Sequence, residues 1–205
     1  MSETKLSLYA ERMKEIVRRT DVIDAFLDRR ISALYVPTTV ESIYLQFRNI
    51  LELIATASLI VNKSAEVALN EAGRRKWHAG DILDAVEEVN PDFFYPKPVR
   101  AKKSHLPGVE YDHRDFKGDY LTREKFTTLY NVCSKTIHTV APFGPKARTK
   151  NYDQLLKEAK KWRARIHSLL VHHEFRLVGD NNMYIVLVRD EKHGDPIVWE
   201  FAPVD

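Results

Sequence analysis

A long apolar segment in the first third of the chain most constrains its fold. Residues 50–61 read ILELIATASLIV, in which only Glu52 carries a charge. A helix that is apolar on nearly all sides is typical of one covered by neighbouring elements. Twelve helical residues span about 18 Å, which is too short for a hydrocarbon core of about 30 Å. We therefore predict a buried central helix of a soluble protein, over about residues 40–62.

More helices are predicted around this one. Apolar residues between positions 6 and 17 recur with the 3.6-residue period of a helix. Thr20 or Asp21 can cap a second helix that reaches about residue 34, because the side-chain oxygens of these residue types accept hydrogen bonds from the first turn. Further predicted helices follow three more capping residues, which are Asp81, Thr122 and Asn151.

The C-terminal segment changes to a strand pattern. Residues 175–178, 183–189 and 197–201 are rich in β-branched and aromatic side chains, with turn clusters between them. Residues 90–121 contain four prolines and no periodicity, which predicts a long loop. The predicted fold is mainly α: a helical bundle around one long buried helix, with a small C-terminal antiparallel β hairpin or meander. We predict a helical domain over 1–173, with a β appendage over 174–205 packed on it.

The location predicted for the chain is the cytoplasm. Its single cysteine, Cys133, excludes an intramolecular disulfide, which fits a reducing compartment. The first residues contain both acidic and basic side chains and no apolar run typical of a signal peptide. No membrane association is expected.

Basic residues are concentrated in the middle of the chain. Residues 96–176 contain 18 Lys or Arg against 8 Asp or Glu, a net charge of +10, although the whole chain carries only +3. Such a segment can bind RNA or another polyanion, and it is equally typical of a solvated lysine-rich surface. The candidate nucleic-acid-binding residues are Lys102, Lys103, Lys135, Lys157, Lys161 and Arg165.

Arg48, Asn49 and Glu52 lie within the long helix, where its apolar half begins. A charged group there must be paired or face a cavity, because an unpaired buried charge is costly. Arg48 and Glu52 are four residues apart and share a helix face. One interpretation is an internal ion pair that holds neighbouring helices in register, and the other is a phosphate-binding site.

A second candidate lies on the predicted helix that follows Thr122. Tyr130, Ser134 and His138 are spaced four residues apart, so they line one face of this helix. His138 could act as a general acid or base, or it could be a hydrogen-bonding group under a loop. Cys133 is separated from His138 by about 140° around the helix, which makes a nucleophile–base pair unfavourable.

No metal or cofactor is predicted. His105, His113 and Asp115 lie in the long loop, but their spacing matches no established metal motif, and an exposed polar loop explains them. His172, His173 and Glu174 precede a predicted strand, and their spacing also matches no established metal motif. Phosphate-loop, dinucleotide-binding, zinc-protease and hydrolase motifs are also missing from the sequence.

The layout resembles the HEPN class of helical domains, found in toxin–antitoxin and antiphage systems. The similarity rests on a long apolar helix bearing Arg48-Asn49 and on a second helix that ends in His138 before a proline loop. Many members of that class are metal-independent RNases, with an Arg, a polar residue and a His four to six positions later at a dimer interface. Here Cys133 stands where that Arg is expected, and the pairs Arg163/His167 and Arg74/His78 have only three residues between them.

The resemblance implies that His138 is the acid–base residue and that Arg48 and Asn49 bind phosphate. It also implies a homodimer. The first hypothesis is thus an RNA-directed protein of a defence or toxin system, with metal-independent RNA cleavage as the activity to test. The alternative is a non-catalytic interaction or scaffold module, and a small-molecule enzyme with its site under the 90–121 loop is a third.

Overall fold

The computed structural model describes residues 3–62, 78–105, 110–139, 150–177, 179–189 and 194–202. Within these residues the chain forms five helices and five strands. The helices are α1 (Glu3–Leu27), α2 (Val36–Val61), α3 (Ala79–Val89), α4 (Arg123–Ile137) and α5 (Tyr152–Leu170). The strands are β1 (Lys97–Lys103), β2 (Tyr111–Asp115), β3 (His172–Arg176), β4 (Met183–Leu187) and β5 (Ile197–Phe201).

The helix α2 is the central element, as its apolar sequence predicts. It packs against α1, α3, α4 and α5. Twelve of its residues are buried, from Val40 near its start to Val61 at its end. In the described part of the chain, α2 is the one helix long and apolar enough to cross a membrane. Its packing against four other helices identifies it instead as the core helix of a bundle; the cytoplasmic location stays a prediction.

The N-terminal segment forms one helix, whereas the sequence predicts two. A single helix, α1, runs through Thr20 and Asp21 without a break. The reason is that the Thr20 hydroxyl donates to the carbonyl of Ile16, at 2.8 Å, so it satisfies the preceding turn rather than capping a new one. The chain then turns, and α2 begins with Pro37 in its first turn, where the missing N–H costs nothing.

The predicted caps of the last two helices are confirmed. Thr122 accepts a hydrogen bond from the backbone N–H of Lys125 at 3.3 Å, and Asn151 accepts one from that of Gln154 at 3.0 Å. These bonds satisfy N–H groups that have no partner inside the helix, so both helices begin directly after their caps.

A five-stranded antiparallel sheet replaces the small β element of the predicted fold. Its strand order is β2-β1-β3-β4-β5. The C-terminal meander of β3, β4 and β5 is confirmed, but two further strands come from residues 90–121, which were predicted as an irregular loop. The prediction of a mainly α fold is therefore wrong, because a helical bundle is combined here with a full sheet. The division into domains over 1–173 and 174–205 stays a prediction.

The β1–β2 hairpin lacks the alternating pattern that marks a strand in sequence. Most of its side chains are exposed or half-buried, so apolar and polar residues do not alternate. Its position depends on the pairing of β1 with β3, which lies far away in sequence: Lys97 pairs with Glu174. An ion pair supports this junction, since Lys97 contacts Asp115 at 2.9 Å and Glu174 at 3.6 Å.

The sheet is joined to the helices through a buried aromatic group. Phe175 on β3 stacks on Tyr184 of β4 at 5.0 Å between ring centres, and Tyr9 of α1 lies 4.8 Å from Phe175. The Tyr9 hydroxyl and His173 Nε2 are 2.6 Å apart, and His173 Nδ1 is 2.8 Å from the carbonyl oxygen of Leu170. Because Nδ1 must donate to that carbonyl, Nε2 is the acceptor of the Tyr9 proton.

Substitution Tyr9→Phe tests this connection between α1 and the sheet. It leaves the buried Nε2 of His173 without a donor, so we expect the free energy of unfolding to fall by about 1–3 kcal/mol. Urea unfolding measures the change. The matched control is Tyr35→Phe, which removes the hydroxyl of an exposed tyrosine and should leave stability unchanged. Equal stability of wild type and Tyr9→Phe would contradict the proposed bond.

Histidine burial predicts that stability falls in mild acid. Burial lowers the pKa of both His172 and His173 from 6.5 to about 4. Below about pH 6.5, which is the pKa of a histidine in the unfolded chain, the unfolded chain binds protons that the folded chain does not. The stability present above about pH 6.5 is therefore lost progressively as pH falls towards about 4.

Urea unfolding of the wild type between about pH 7.5 and pH 4.5 checks this expectation and avoids most carboxylate titration. The variant His173→Gln should show a smaller dependence on pH, because it removes one of the histidines whose pKa burial lowers. A midpoint that does not change over this range would contradict the expected linkage.

Candidate functional site

Arg48 lies at the contact between α2 and α4, where it binds three side chains. Its Nε is 3.2 Å from Glu52 Oε1, its Nη1 donates to Ser134 Oγ at 2.7 Å, and its Nη2 donates to the Tyr130 hydroxyl at 2.9 Å. We call Arg48, Glu52, Tyr130 and Ser134 the Arg48 cluster. The cluster joins two helices whose contacting residues are more than 80 positions apart in sequence.

Tyr130 occupies the middle of the Arg48 cluster. The guanidinium carbon of Arg48 lies 4.6 Å from its ring centre, a cation–π distance, and its hydroxyl donates to Glu52 Oε1 at 3.3 Å. His78, directly before α3, places its ring against the edge of the Tyr130 ring at 4.8 Å. Partial burial raises the pKa of Tyr130, so its hydroxyl stays protonated at neutral pH and continues to donate.

The cluster leaves Arg48 partly available for a ligand. Its side chain is 28% exposed, and the three bonds use three of its five N–H donors. The two remaining donors can bind a phosphate oxygen. Glu52 balances part of the positive charge, so the same geometry also serves the internal ion pair that the sequence leaves open as the alternative.

His138 follows α4 directly. Its backbone N–H donates to the carbonyl of Ser134 at 3.2 Å, and its side chain is exposed. No residue of the described chain forms a side-chain hydrogen bond with it. Because Ser134 is bound to Arg48, the structure places His138 one helical turn beyond the cluster. It brings Arg48 together with Tyr130 and Ser134, and the exposed His138 side chain makes no contact with them.

Two neighbouring residues contribute less to this site. Asn49 is half-buried on α2 and has no side-chain hydrogen bond in the described chain. Cys133 is fully buried, and this burial raises the pKa of its thiol to about 12. A protonated, inaccessible thiol is a poor nucleophile, which excludes it as the reactive group in this conformation.

A cleft of about 500 Å³ lies beside the C-terminal half of α4. Lys135 and Thr136 of α4 line it on one side, and residues of α5 line it on the other. Lys150 also lines the cleft, where it contacts Glu41 at 3.5 Å and donates to the carbonyl of Thr136 at 2.5 Å. An anion that enters this cleft would thus meet Lys135 within the same turn of helix that ends at His138.

Three basic residues of the 96–176 segment form ion pairs with acidic residues elsewhere in the described chain. Arg163 binds both carboxylate oxygens of Asp24 at 2.8 and 2.6 Å. Two further pairs join this basic segment to acidic residues outside it: Arg123 to Asp84 at 2.6 Å, and Lys150 to Glu41 at 3.5 Å. The charge asymmetry of the sequence therefore partly reflects pairing between segments and is a weak indicator of a polyanion partner.

The six basic residues predicted to bind nucleic acid fall into two groups. Lys161 contacts Glu158 at 3.1 Å, and Arg165 binds Asp119 at 2.8 Å while its guanidinium lies over the Trp162 ring. Hydrogen bonds from Lys125 and Arg165 lower the pKa of Asp119. The others are exposed and have no ion pair in the described chain; they are Lys102, Lys103, Lys135 and Lys157.

The residues considered as metal ligands do not converge. Within the described ranges, no group of three His, Cys, Asp or Glu side chains could hold a metal ion. Asp115 is engaged by Lys97, and His105 is exposed. His113 instead lies against His172, with 5.1 Å between ring centres. Two imidazoles without a third ligand fall short of the usual zinc site.

Sequence reasoning missed His78 as a neighbour of Tyr130, and it missed the contact of His113 with His172. The spacing of Tyr130 and Ser134 predicted their common face, but nothing in the sequence shows that His78 covers the Tyr130 ring. The His113–His172 contact depends on β1 pairing with both β2 and β3.

Comparison of the chain with protein-family models, with curated proteins and with solved structures finds no match. Its function is therefore argued from the geometry of its side chains.

Proposed function

We propose that this chain is an RNA-directed protein of the HEPN type, which cuts RNA without a metal ion at the Arg48 cluster and His138. One observation supports the proposal above others: Arg48 extends from α2 to the helix that ends at His138 and is held there by Tyr130 and Ser134. The guanidinium is thus held one helical turn before His138, whose imidazole has no hydrogen-bond partner in the described chain. Metal-independent cleavage of RNA requires groups of these two kinds.

Each group has a definite role in the proposed reaction. The ribose 2′-oxygen bonds to the adjacent phosphorus as the His138 imidazole accepts the 2′-hydroxyl proton. The bond from phosphorus to the 5′-oxygen then breaks, the imidazolium returns the proton to that oxygen, and the products are a 2′,3′-cyclic phosphate and a 5′-hydroxyl. The two unused donors of Arg48 bind the phosphate oxygens and stabilise the charge that develops on them. Tyr130 and Ser134 hold the guanidinium in place.

The proposal includes a cytoplasmic homodimer within a defence or toxin system. In the HEPN class two copies usually combine their polar residues at the dimer interface. His138 is exposed at the end of α4, so a second copy could approach it without rearranging the core.

A second candidate function is a non-catalytic interaction module. Arg48 already has an acidic partner in Glu52, as an internal ion pair would. The turn between α1 and α2 also exposes apolar side chains, among them Leu34, which is 100% exposed, and Tyr35, which is 60% exposed. Exposed apolar residues next to one another are typical of protein contacts.

Substitutions at the site distinguish the two candidates. Wild type should cleave single-stranded RNA in EDTA, and His138→Ala should lower the rate by about 100-fold or more, the usual contribution of general acid–base catalysis. Arg48→Ala should also lower the rate, and Arg48→Lys should restore part of it by retaining the charge. Gel analysis of the RNA measures cleavage, and thermal unfolding confirms that each variant is folded.

The matched controls are His167→Ala and Arg18→Ala, which alter exposed residues on α5 and α1. Both should cleave RNA like wild type. Full cleavage by folded His138→Ala and Arg48→Ala would contradict the site, whereas absence of cleavage and of salt-sensitive RNA binding would favour the interaction module.

A further inference from the structure

A cavity of about 690 Å³ lies on one face of the sheet, a volume within the range of small-ligand sites. Its lining includes five rings, which belong to Tyr111, His113, His172, Trp199 and Phe201. All five strands contribute to the cavity: β2, β3 and β5 through these rings, β1 through Ala101 and β4 through Leu187. It is separate from the Arg48 cluster, with which it shares no residue.

The cavity exists because the sheet is strongly curved. The strands β2 and β5 are its two edges, four strand spacings apart. In a flat sheet that separation would be about 19 Å. The rings of His113 on β2 and Phe201 on β5 are only 6.0 Å apart. The sheet therefore curls until side chains from its two edges meet, and the cavity lies on its concave face.

Three aromatic rings at the cavity remain open to solvent. Tyr111 is 50% exposed, Trp199 is 40% exposed and Phe201 is 41% exposed. On β3, alternate side chains point to opposite faces: His173 and Phe175 lie in the core with α1, while His172 faces the cavity. Open rings on a sheet are the surface on which single-stranded nucleic acids stack their bases.

The two imidazoles add hydrogen-bonding groups without charge. Burial lowers the pKa of His113, and it lowers that of His172 to about 4. Both are therefore neutral at pH 7, and each has one donor and one acceptor nitrogen. The Nε2 atom of His172 is buried and has no hydrogen-bond partner. The His113 ring lies against this imidazole, with 5.1 Å between ring centres, and both rings line the cavity.

Charges at the rim favour a nucleic acid over an uncharged ring compound. Lys103 is the register partner of Tyr111, so both side chains belong to the cavity face, and Lys102 precedes it. Both lysines are exposed and unpaired within the described residues. Lys103 can bind the phosphate next to a stacked base, whereas Lys102 points to the opposite face of the sheet. Glu110 also lines the cavity, where its carboxylate can accept a hydrogen bond from an amino group of the base.

We infer that the concave face of the sheet binds an unpaired base of single-stranded RNA, stacked against Trp199, Phe201 and Tyr111, with Lys103 on the adjacent phosphate. This inference rests on the proposed function in one respect, namely that RNA is the polymer the protein acts on. It adds a base-binding site that is distinct from the cleavage site at Arg48 and His138.

Fluorescence anisotropy with a labelled single-stranded RNA of about ten nucleotides tests the inference. The variants Trp199→Ala and Tyr111→Ala should each weaken binding by about tenfold or more, because each removes a stacking surface. Lys103→Ala should weaken binding and lower the slope of log affinity against log salt by about one unit. The matched control Tyr35→Ala, which removes an exposed ring elsewhere, should bind like wild type.

Two further measurements separate this inference from the proposed function. A duplex of the same sequence should bind more weakly than the single strand, because its bases are paired. The RNA recovered from each binding titration is also run on a gel, which shows whether the bound strand has been cut. Binding through the sheet without any cleavage would support the inference and contradict the proposed RNase activity.

The inference is overturned if wild type does not bind the single strand, or if it binds the duplex equally well. Unchanged binding by both Trp199→Ala and Tyr111→Ala would also overturn it, even for a protein that cleaves RNA. Circular dichroism establishes that the variants are folded, and Trp199→Leu, which retains an apolar side chain on β5, replaces Trp199→Ala if that variant unfolds.

Discussion

The burial of α2 is the constraint on which the rest of the structure depends. A helix that is apolar on nearly every side must be covered on most of its sides, and four other helices of the described chain pack against it. Because α4 packs over α2 at Arg48, the charged guanidinium needs polar partners at this contact. Glu52 supplies the opposite charge, and Tyr130 and Ser134 accept hydrogen bonds, so the guanidinium is held at the helix contact without an unpaired charge. The polar cluster is thus a consequence of the packing of an apolar helix.

The sheet forms a second layer, and only one of its faces is used for the core. Tyr9, His173 and Phe175 attach that face to α1. The other face curls on itself until His113 and Phe201 meet, and its rings remain open. Polar or aromatic groups remain available at the end of α4, which Arg48 contacts, and on the concave face of the sheet. The two proposals assign cleavage to the first and base binding to the second.

The sequence predicts the elements that depend on neighbouring residues, and it does not predict those that depend on contacts between residues far apart in the chain. The apolar character of α2 and the caps Thr122 and Asn151 are local signals, and the elements they predict are present. The predicted cap at Thr20 is wrong, because its hydroxyl donates to the carbonyl of Ile16 in the preceding turn instead of capping a new helix. The hairpin of β1 and β2 has no local signal, since it is largely exposed and its place is set by pairing with β3. Within the site, the common face of Tyr130 and Ser134 follows from spacing, but their contact with Arg48 depends on which helix covers α2.

The central claim is that this chain contacts RNA at those two places. The most direct test is ultraviolet crosslinking of the wild-type protein to single-stranded RNA in EDTA, with the crosslinked peptides identified by mass spectrometry. The account predicts crosslinks in peptides that contain Tyr111, Trp199 or Phe201, and in the peptide that contains Tyr130 and His138. Crosslinks confined to other surfaces, such as α1 or the turn before α2, would contradict it, as would the absence of any crosslink.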